Sequence, residues 1–581
     1  MTRTIAPPPP RTRATNPWVV LAIVVSGAFM LLVDVSIVNV AIPSIQRELH
    51  ATSGAIQLIL AGYQLAFACV LITAGRLGDI HGRRRLFLIG LAGFTLASAA
   101  AGAAPSAYAL VGARIVQGFL GGLMFPQVLS VIQVAFRPDE RGRALGVFGA
   151  VIGVATVLGP LVGGALIYAN VLGLGWRTIF YVNVPIGAAA YVAAHRWLRE
   201  SRAPDAPRLD VPGVALVTVG LFMLILPIIE GRELGWPPWF FAVLAGSGVV
   251  LAVFARYELG KTRRRESPLV PMTLFGDRAF RTGLPLVFVF LLGLPAFFFT
   301  FTLYLQIGFG YSALQAGLIS FPFAVASGTA SFFSDRLARR LGKWVLSVGS
   351  LVAACGMGAI LLAVHVMGTD LNPWALSPLL LIGGAGLGTF IAPVITIVLS
   401  NVRASGAGSA SGVLTTVQRV GGAVGVAVVG VLYFGLLTAH AGAAANAVEP
   451  GLAARLHDAG LSQAATRHVV DGFHQCFVDR ASSGDPQVTP ASCQRSQAAS
   501  GSLSPAASRA VERAVRAYAA PQALRRDFSF TFQRTLLYEM GAFVSAFLLV
   551  FLLPGRARGG AHARSEGTTP RRSRGGESRS A

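Results

Sequence analysis

Residues 55–85 read AIQLILAGYQLAFACVLITAGRLGDIHGRRR, an apolar stretch that ends in a glycine-containing basic loop. An α-helix needs about 20 apolar residues to cross the hydrocarbon core of a bilayer. Arginines that directly follow such a stretch are typical of a loop that stays on the cytoplasmic side. The segment therefore predicts a membrane-spanning helix and its inner loop, and the same alternation continues along the chain.

The complete sequence contains fourteen such apolar stretches. Of its 581 residues, 54% are hydrophobic and 13% charged, whereas soluble proteins carry about a quarter charged residues. This composition excludes an ordinary soluble enzyme. The predicted spans are 17–41, 55–75, 86–104, 107–133, 144–168, 177–195, 211–229, 238–255, 282–305, 314–333, 344–366, 374–399, 409–438 and 530–553.

The positions of the basic residues predict the orientation. The formal net charge is +23, and most of the 48 Lys and Arg residues fall in alternate loops and in the two tails. The short loops that alternate with these basic loops contain only two basic residues, Arg47 and Arg232. Because short basic loops stay inside, both termini are predicted to be cytoplasmic. The positive charge then sets the orientation of the chain in the membrane and attracts anionic membrane lipids. No nucleic acid is expected as a partner. Only Lys261 and Lys343 are lysines, which is typical of a GC-rich bacterial genome and predicts a bacterial cell (inner) membrane.

We therefore predict an all-α polytopic membrane protein with two six-helix bundles and an inserted helix pair. The loop at 75–85 has a weak counterpart at 335–343, which indicates two related halves. Paired bundles around a central site are the usual architecture of transporters that alternate between two open states. The predicted divisions are a cytoplasmic N-terminal tail at 1–16, an N-terminal bundle at 17–195, a linker with the inserted pair at 196–281, the first five helices of the C-terminal bundle at 282–438, a long extracytoplasmic loop at 439–529, the last transmembrane helix at 530–553 and a disordered basic cytoplasmic tail at 554–581.

The extracytoplasmic loop at 439–529 is interpreted as either a partly helical cap or a mobile loop. It contains Cys476 and Cys493, for which a disulfide is predicted because the outer compartment permits oxidation. Two free thiols are the alternative. The spacing of His468, His474 and Cys476 fits no common zinc pattern, so no metal site is predicted.

Three charged residues in predicted spans are candidates for proton coupling: Asp34, Arg114 and Glu539. An ionised carboxylate is costly in an apolar span, so Asp34 is expected to take up and release a proton. The alternative is a structural carboxylate held by neighbours such as Asn39. Arg114 is expected to face the interior and to find a partner there, with a purely structural ion pair as the alternative. Glu539 is a candidate proton or substrate site, and a position close to the outer surface is its alternative.

Polar and aromatic side chains in the spans are candidates for a substrate cavity. Aromatic rings with a few polar groups suit small amphipathic, often cationic, molecules such as drugs and antibiotics. For the phenylalanines of the ninth span, Phe297, Phe298 and Phe299, lipid contact and packing are the alternatives. The candidate cavity residues are Asp34, Asn39, Tyr63, Gln117, Tyr304 and Gln306.

Two glycine-containing segments are candidates for conformational control. In the loop after the second span, glycines permit close helix approach and opposite charges can latch a gate, whereas a solvated basic loop is the alternative. The counterpart loop has Asp335 and Arg339 at the places of Gly75 and Asp79, so no equivalent latch is predicted there. The gate candidates are Gly75, Asp79, Gly82, Arg83 and Arg84.

The fifth span combines small residues that permit close helix packing with a proline that permits a bend. Glycine-mediated packing without a mechanistic role is the alternative. The residues are Gly153, Gly159, Pro160, Gly163 and Gly164.

Several of these segments resemble one family. The loop at 75–85 is similar to the inner-loop signature of the major facilitator superfamily, and 32–43, 114–118 and 153–164 resemble motifs of its fourteen-span drug:proton antiporter branch of multidrug efflux transporters. The resemblance covers about residues 17–438 and the last span. It implies proton coupling through Asp34 and Arg114, gating by the loop and an antiporter motif in the fifth span. It also implies transport driven by the proton gradient, without ATP or another cofactor, by a chain that works as a monomer.

No catalytic residue is proposed, so the sequence indicates a transporter and not an enzyme. Residues 260–262 imitate the end of a phosphate-binding loop, but Ala255 stands where that loop requires a glycine, which argues against ATP binding. The leading hypothesis is a proton-coupled antiporter that exports amphipathic drugs or antibiotics by alternating access. The alternatives are a narrow-specificity exporter of one host-made metabolite, a proton-linked uptake symporter and a membrane sensor.

Overall fold

The computed structural model describes residues 16–554 except 52, 203–208, 232–233, 265, 267, 403–405, 483–488 and 502–503. This described part of the chain is helical, with short 3-10 and π turns, and contains no β-strand. The predicted tails lie outside the described residues, apart from Asn16 and Pro554 at their inner ends.

The N-terminal part of the described chain contains the helices α1 (Pro17–Glu48), α2 (Ser53–His81), α3 (Arg83–Gly102), α4 (Ala107–Ala135), α5 (Pro138–Ala169), α6 (Thr178–Tyr181), α7 (Asn183–Trp197), α8 (Val211–Glu230) and α9 (Pro238–Arg263). The C-terminal part contains α10 (Arg278–Leu303), α11 (Ala313–Leu341), α12 (Trp344–Met367), α13 (Ser377–Val398), α14 (Ala407–Asn446), α15 (Glu449–Asp458), α16 (Gln463–Ser482), α17 (Ala491–Gly501), α18 (Pro505–Ala514) and α19 (Ala520–Leu549).

Twelve helices in the described residues are long and apolar enough to cross a membrane, two fewer than the fourteen predicted. The helices that cover the fifth and sixth predicted spans are not among them. The 32-residue α5 covers the fifth span, and the sixth is divided at Val182 between α6, with 4 residues, and α7, with 15. Since a crossing needs about 20 residues, neither part of the sixth span suffices alone. The all-helical membrane architecture is confirmed, and the number of fourteen crossings stays a prediction.

The side chains that begin many of these helices explain where the helices start. Unpaired amide groups in the first turn of a helix need acceptors, and a short polar side chain just before the helix supplies one. In α11 the cap is reciprocal, because the side chains of Ser312 and Gln315 each accept a hydrogen bond from the other residue's backbone amide. Side chains that accept from the first turn of α1, α4, α8 and α10 are those of Asn16, Ser106, Asp210 and Asp277.

The helices form two groups that meet along two seams. In the first group α1 packs against α5, and α4 against α2 and α3; in the second, α10 packs against α14, α11 against α13 and α12 against α19. The groups meet where α5 packs along α11 and where α2 packs along α14. The inserted helices α8 and α9 pack on each other, and α8 also contacts α2 and α14. The inserted pair therefore lies beside the seam between α2 and α14.

Glycines permit the close approach of α5 and α11. They recur every three or four residues, so they share one face of α5. A Cβ atom added on this face would meet Ser327, Ser331 or Asp335 of α11. The Ser331 hydroxyl also donates to the carbonyl of a residue on this face at 2.9 Å. The glycines of the face are Gly142, Gly146, Gly149 and Gly153.

The segment at 439–529 forms a helical cap, which we define as α15–α18. Its helices enclose an apolar core, into which the ends of α14 and α19 also project. The disulfide between Cys476 and Cys493 joins α16 to α17 across a sequence separation of 17 residues. Buried members of the core are Ala445, Val448, Leu452, Leu456, Phe473, Val511 and Ala523.

We expect replacement of both Cys476 and Cys493 with serine to destabilise the cap by about 3 kcal/mol, the loop-closure free energy of a ring of this size. Hydrogen exchange of residues 449–514 should become faster, while exchange in α1–α5 stays unchanged. Replacement of Cys69 and Cys355, which are free in the described structure, serves as the control. Equal cap exchange in both double variants would contradict this expectation.

Candidate functional site

Asp34 of α1 and Arg114 of α4 form a buried ion pair. Arg114 Nη1 lies 2.6 Å from Asp34 Oδ2, and neither side chain is exposed by more than 2%. Both residues lie within long apolar helices, where an unpaired charge would be costly. The pair therefore lets two charges remain in the interior, and each depends on the other.

Two amide side chains complete this arrangement, which we call the Asp34 network: Asp34, Arg114, Gln117 and Asn183. Asp34 Oδ1 accepts from Gln117 Nε2 at 3.0 Å and from Asn183 Nδ2 at 2.9 Å. Gln117 also accepts from Arg114 Nη1 at 2.7 Å. Three helices, α1, α4 and α7, thus hold one carboxylate. The side chain of Asn39, the neighbour considered from the sequence, lies outside the described residues.

The contacts of the Asp34 network match the charges of Asp34 and Arg114. The hydrogen bonds to Asp34 are donated by nitrogen atoms to its carboxylate oxygens. A proton on Asp34 would cancel the charge attraction to Arg114 and leave the guanidinium without its counter-charge. The guanidinium lies 4.1 Å from the ring centroid of Tyr63, and its Nε donates to the carbonyl of Ile59 at 3.4 Å. Protonation of Asp34 would therefore also change the contacts of Arg114 with α2.

Tyr63 also borders a small cavity, which we call the central cavity. It lies between α1, α2, α8 and α14 and has a volume of about 40 Å³. This space admits water molecules but is far below the roughly 300–1,000 Å³ of a drug-sized site. The central cavity is therefore too small for a drug-sized molecule in this structure. Its lining consists of Leu31, Val35, Tyr63, Gln64, Phe67, Ala68, Ile225, Arg419 and Ala423.

Glu539 is a second buried acid, in the other helix group. Its side chain is fully buried in α19, and Oε1 accepts from Thr300 Oγ1 of α10 at 3.1 Å. Oε2 has no hydrogen-bond partner among the described residues. Glu539 and Asp34 are therefore separate sites, each enclosed by its own bundle.

Two candidate cavity residues, Tyr304 and Gln306, lie in the C-terminal helix group. Tyr304 belongs to a π turn after α10, and its buried ring stacks on Phe532 with 4.6 Å between centroids. Gln306 follows in the same turn and is half-buried. Of the six residues predicted for the cavity, Tyr63 lines it, Asp34 and Gln117 belong to the Asp34 network, and Tyr304 packs on α19. Gln306 is absent from the lining, and the side chain of Asn39 lies outside the described residues.

The predicted gate residues meet the second helix group at the end of α2. Asp79 accepts from Arg83 at 2.6 Å and from the backbone amide of Gly408 at 3.3 Å. Gly408 lies in the first turn of α14, where a negative charge is stabilised by free amides and the helix dipole. A Cβ atom added at Gly75 would overlap the carbonyl group of Gly408. Asp79, Arg83, Gly75 and Gly408 form what we call the latch, and it is closed in this structure.

Gly82 and Arg84 serve a neighbouring contact. Gly82 has a φ of +107°, a value that favours glycine, and a Cβ atom there would overlap the Glu200 carboxylate. This carboxylate accepts from the backbone amides of Arg84 and Arg85, both at 3.2 Å, and so caps α3. Arg84 also donates to the carbonyl of His195 at 2.6 Å. The loop is thus fixed to the segment after α7.

The counterpart loop also carries an ion pair, although no equivalent latch was expected there. Asp335 and Arg339 of α11 are paired one turn apart. A Cβ atom added at Gly142 would overlap the Asp335 carboxylate, so this acid lies against the early turns of α5. Asp335 thus lies one helical turn further from the C-terminal end of α11 than Asp79 lies from the C-terminal end of α2.

The glycines of the predicted antiporter motif face two different helices. Gly153 packs against Ser327 of α11, whereas Gly159 and Gly163 pack against Ser36 and Ile37 of α1. An added Cβ atom at Gly164 would meet open space. The side chain of Pro160 lies outside the described residues. α5 therefore has small residues at its interface with α1 and at its interface with α11. The interface with α11 is the longer of the two, because it continues to Gly142.

Sequence comparisons find one family and several similar chains. A family model described as Major Facilitator Superfamily matches residues 24–426. A probable actinorhodin transporter of Streptomyces coelicolor is 38% identical over 96% of this chain and 94% of its own length. The tetracenomycin C resistance and export protein of Streptomyces glaucescens is 34% identical over 72% of this chain and 76% of its own. The puromycin resistance protein of Streptomyces alboniger is 34% identical over 78% of this chain and 86% of its own.

A solved structure shares the fold. The human organic anion transporter MFSD10 (TETRAN) superimposes with a TM-score of 0.53 at 16% identity, covering 74% of this chain and 94% of that one. At this identity the likeness concerns the arrangement of helices alone.

Proposed function

Because the chain belongs to the Major Facilitator Superfamily, a family of membrane transporters and not of enzymes, we propose that it exports amphipathic antibiotics or drugs in exchange for protons. In this proposal it is a fourteen-span antiporter of a bacterial inner membrane, with both termini in the cytoplasm. It works as a monomer with the proton gradient as its energy source and without ATP or another cofactor. Its partners are small amphipathic substrates, protons and membrane lipids.

The observation that carries the proposal is the buried Asp34–Arg114 pair. A proton that reaches Asp34 neutralises the carboxylate, weakens its hold on Arg114 and changes the contact of Arg114 with Tyr63 at the cavity wall. Proton binding and substrate binding then favour different states of one cycle. Glu539 is proposed as a second proton site.

In the proposed mechanism, the latch is the contact that opens and closes one end of the transporter. Asp79 joins α2 to the first turn of α14, so it closes the basic end of the seam between the two bundles. Opening of that end requires this contact to break, and the opposite end must then close. In the proposed orientation the basic end faces the cytoplasm, and the latch is closed while substrate leaves on the outer side.

The names of the relatives support export as the direction of transport. The chains named as an actinorhodin transporter, a tetracenomycin C export protein and a puromycin resistance protein all concern antibiotics. A multidrug resistance protein of Mycobacterium tuberculosis is 32% identical over 70% of this chain. We therefore favour drug and antibiotic efflux over nutrient uptake, and export of a single host-made metabolite is the narrower form of the same activity.

The test is proton-driven transport in inverted membrane vesicles, with ethidium and fluorescein as probes. We expect addition of a substrate to dissipate the proton gradient in parent vesicles. Asp34→Asn should lower this coupled flux by more than about tenfold, because the amide cannot take up a proton. Glu258→Gln, which neutralises another buried carboxylate, is the matched control.

Vesicles are compared at equal amounts of folded protein, because Asp34→Asn also leaves Arg114 without its counter-charge. Full coupled flux in Asp34→Asn would exclude Asp34 as the proton site and direct attention to Glu539. Absence of proton-driven flux for both probes in the parent would argue against broad drug efflux, and the narrow exporter would then be tested with metabolites of the host.

A further inference from the structure

Arg419 is the charged residue of the central cavity. It lies within α14 between two helix groups, and its guanidinium carbon is 4.7 Å from the ring centroid of Phe67 and 5.5 Å from that of Phe125. Arg419 is half-buried and belongs to the cavity lining. The guanidinium is thus held by aromatic faces and borders the space into which a substrate would enter.

The cavity contains no acid to balance this charge. None of its lining residues is Asp or Glu, and Arg419 has no ion-pair partner among the described residues. The nearby network acid, Asp34, is already bound to Arg114, Gln117 and Asn183. The central cavity therefore carries a net positive charge, whether Asp34 is ionised and paired or protonated.

The chemistry of a guanidinium defines what would complement it. Its five N–H donors form a planar fork that matches a carboxylate or another flat anion, and the rings of Phe67 and Phe125 accept no such hydrogen bonds. A charge that is kept in an apolar interior without a protein partner indicates a functional contact. A bound cation would instead meet an uncompensated like charge in a site of low polarity.

We propose that the substrates of this transporter carry an acidic group, a carboxylate or an ionised phenol, on an aromatic body, and that Arg419 binds this group. Tyr63, Phe67 and Gln64 line the same cavity, so the aromatic body would lie beside them. This inference rests on the proposed export function and refines its substrate class. It replaces the cationic preference expected from the sequence with an anionic one.

The experiment compares two xanthene dyes of similar shape and opposite charge: fluorescein, an anion at pH 8, and tetramethylrhodamine methyl ester, a cation. Binding to the full-length protein is measured by fluorescence anisotropy in nanodiscs of phosphatidylcholine, so that no anionic lipid competes for Arg419. Transport of both dyes is measured in the vesicle assay.

We expect the parent to bind fluorescein at least about tenfold more tightly than the cationic dye. Arg419→Gln should abolish this preference, and Arg419→Lys should retain part of it because it keeps the charge but loses the fork. Arg177→Gln is the matched control, since Arg177 also lies on an aromatic ring, Trp176, but is absent from the cavity lining. Addition of phosphatidylglycerol that weakens fluorescein binding in the parent alone would show that lipid headgroups use the same arginine.

Several results would overturn the proposal: equal or tighter binding of the cation, an unchanged anion preference in Arg419→Gln, or binding of neither dye by the parent. Proton coupling is judged separately. An anion preference that depends on Arg419, without proton-driven flux, would support the substrate class and refute the proposed antiport. Proton-driven flux of the cation alone would support antiport and refute the substrate class.

Discussion

Replacement of Arg114 with methionine is expected to destabilise the folded protein by about 3–5 kcal/mol and to abolish proton-coupled flux. Arg114 and Asp34 are buried together at 2.6 Å, so methionine leaves a carboxylate in an apolar interior with only Gln117 and Asn183 as donors. The loss is larger than that of an exposed ion pair because water cannot take over the role of the arginine. Thermal unfolding in detergent measures the change in stability.

The double variant Asp34→Asn with Arg114→Met separates stability from function. It removes both charges, so its unfolding temperature should return towards that of the parent. Its proton-coupled flux should stay absent, because the carboxylate at position 34, the proposed primary proton site, is gone. A double variant as unstable as Arg114→Met alone would mean that the arginine stabilises the bundle through Tyr63 and Ile59 and not through Asp34.

Replacement of Gly75 with valine is expected to stop transport while the protein still folds and reaches the membrane. The added side chain would overlap the backbone of Gly408, which cannot rotate away as a side chain could. α2 and α14 would have to separate at the latch, at a cost of about 1–3 kcal/mol for the closed state alone. The population with an open basic end should rise, and flux should fall by more than about tenfold.

Two measurements test this expectation. Distances between spin labels on the latch ends of α2 and α14 should lengthen in Gly75→Val, and substrate flux should fall with them. Gly112→Val is the matched control, because a side chain at Gly112 of α4 meets open space. Normal flux in Gly75→Val, or an equal loss in Gly112→Val, would show that close contact at Gly75 is not required for the cycle.

The sequence was sufficient to identify charges that need partners, because a charge inside an apolar stretch is conspicuous. Asp34 and Arg114 were singled out in this way, and the structure pairs them. Arg419 carries the same signal within the thirteenth span, but no acid among the described residues pairs with it, so nothing in the sequence connects it to a second residue. Only the fold shows that it borders a cavity.

Neutral and distant contacts could not be predicted. Asn183 is an amide in an apolar span, and its bond to Asp34 depends on the rotation of α7 about its own axis. Glu200 lies in a polar segment, and its capping of α3 joins residues 116 positions apart in the chain. Tyr304 shows the opposite case, because its residue type suggested a cavity and the structure stacks its ring on Phe532 of α19. The positions of the helices along the chain follow from the apolar pattern of the sequence. Which side of each helix contacts its neighbours follows only from the three-dimensional fold.

α14 is a single helix of 40 residues, about 60 Å long, or roughly twice the thickness of the hydrocarbon core. It starts at Ala407 beside the seam, carries Arg419 about a third of the way along and ends among the apolar side chains of the cap. Such a rod transmits a tilt without bending, and a rotation of about 10° would move its far end by about 10 Å. In the proposed orientation, a fluorophore or nanobody on the cap would therefore report from outside the cell whether the cytoplasmic entrance is open.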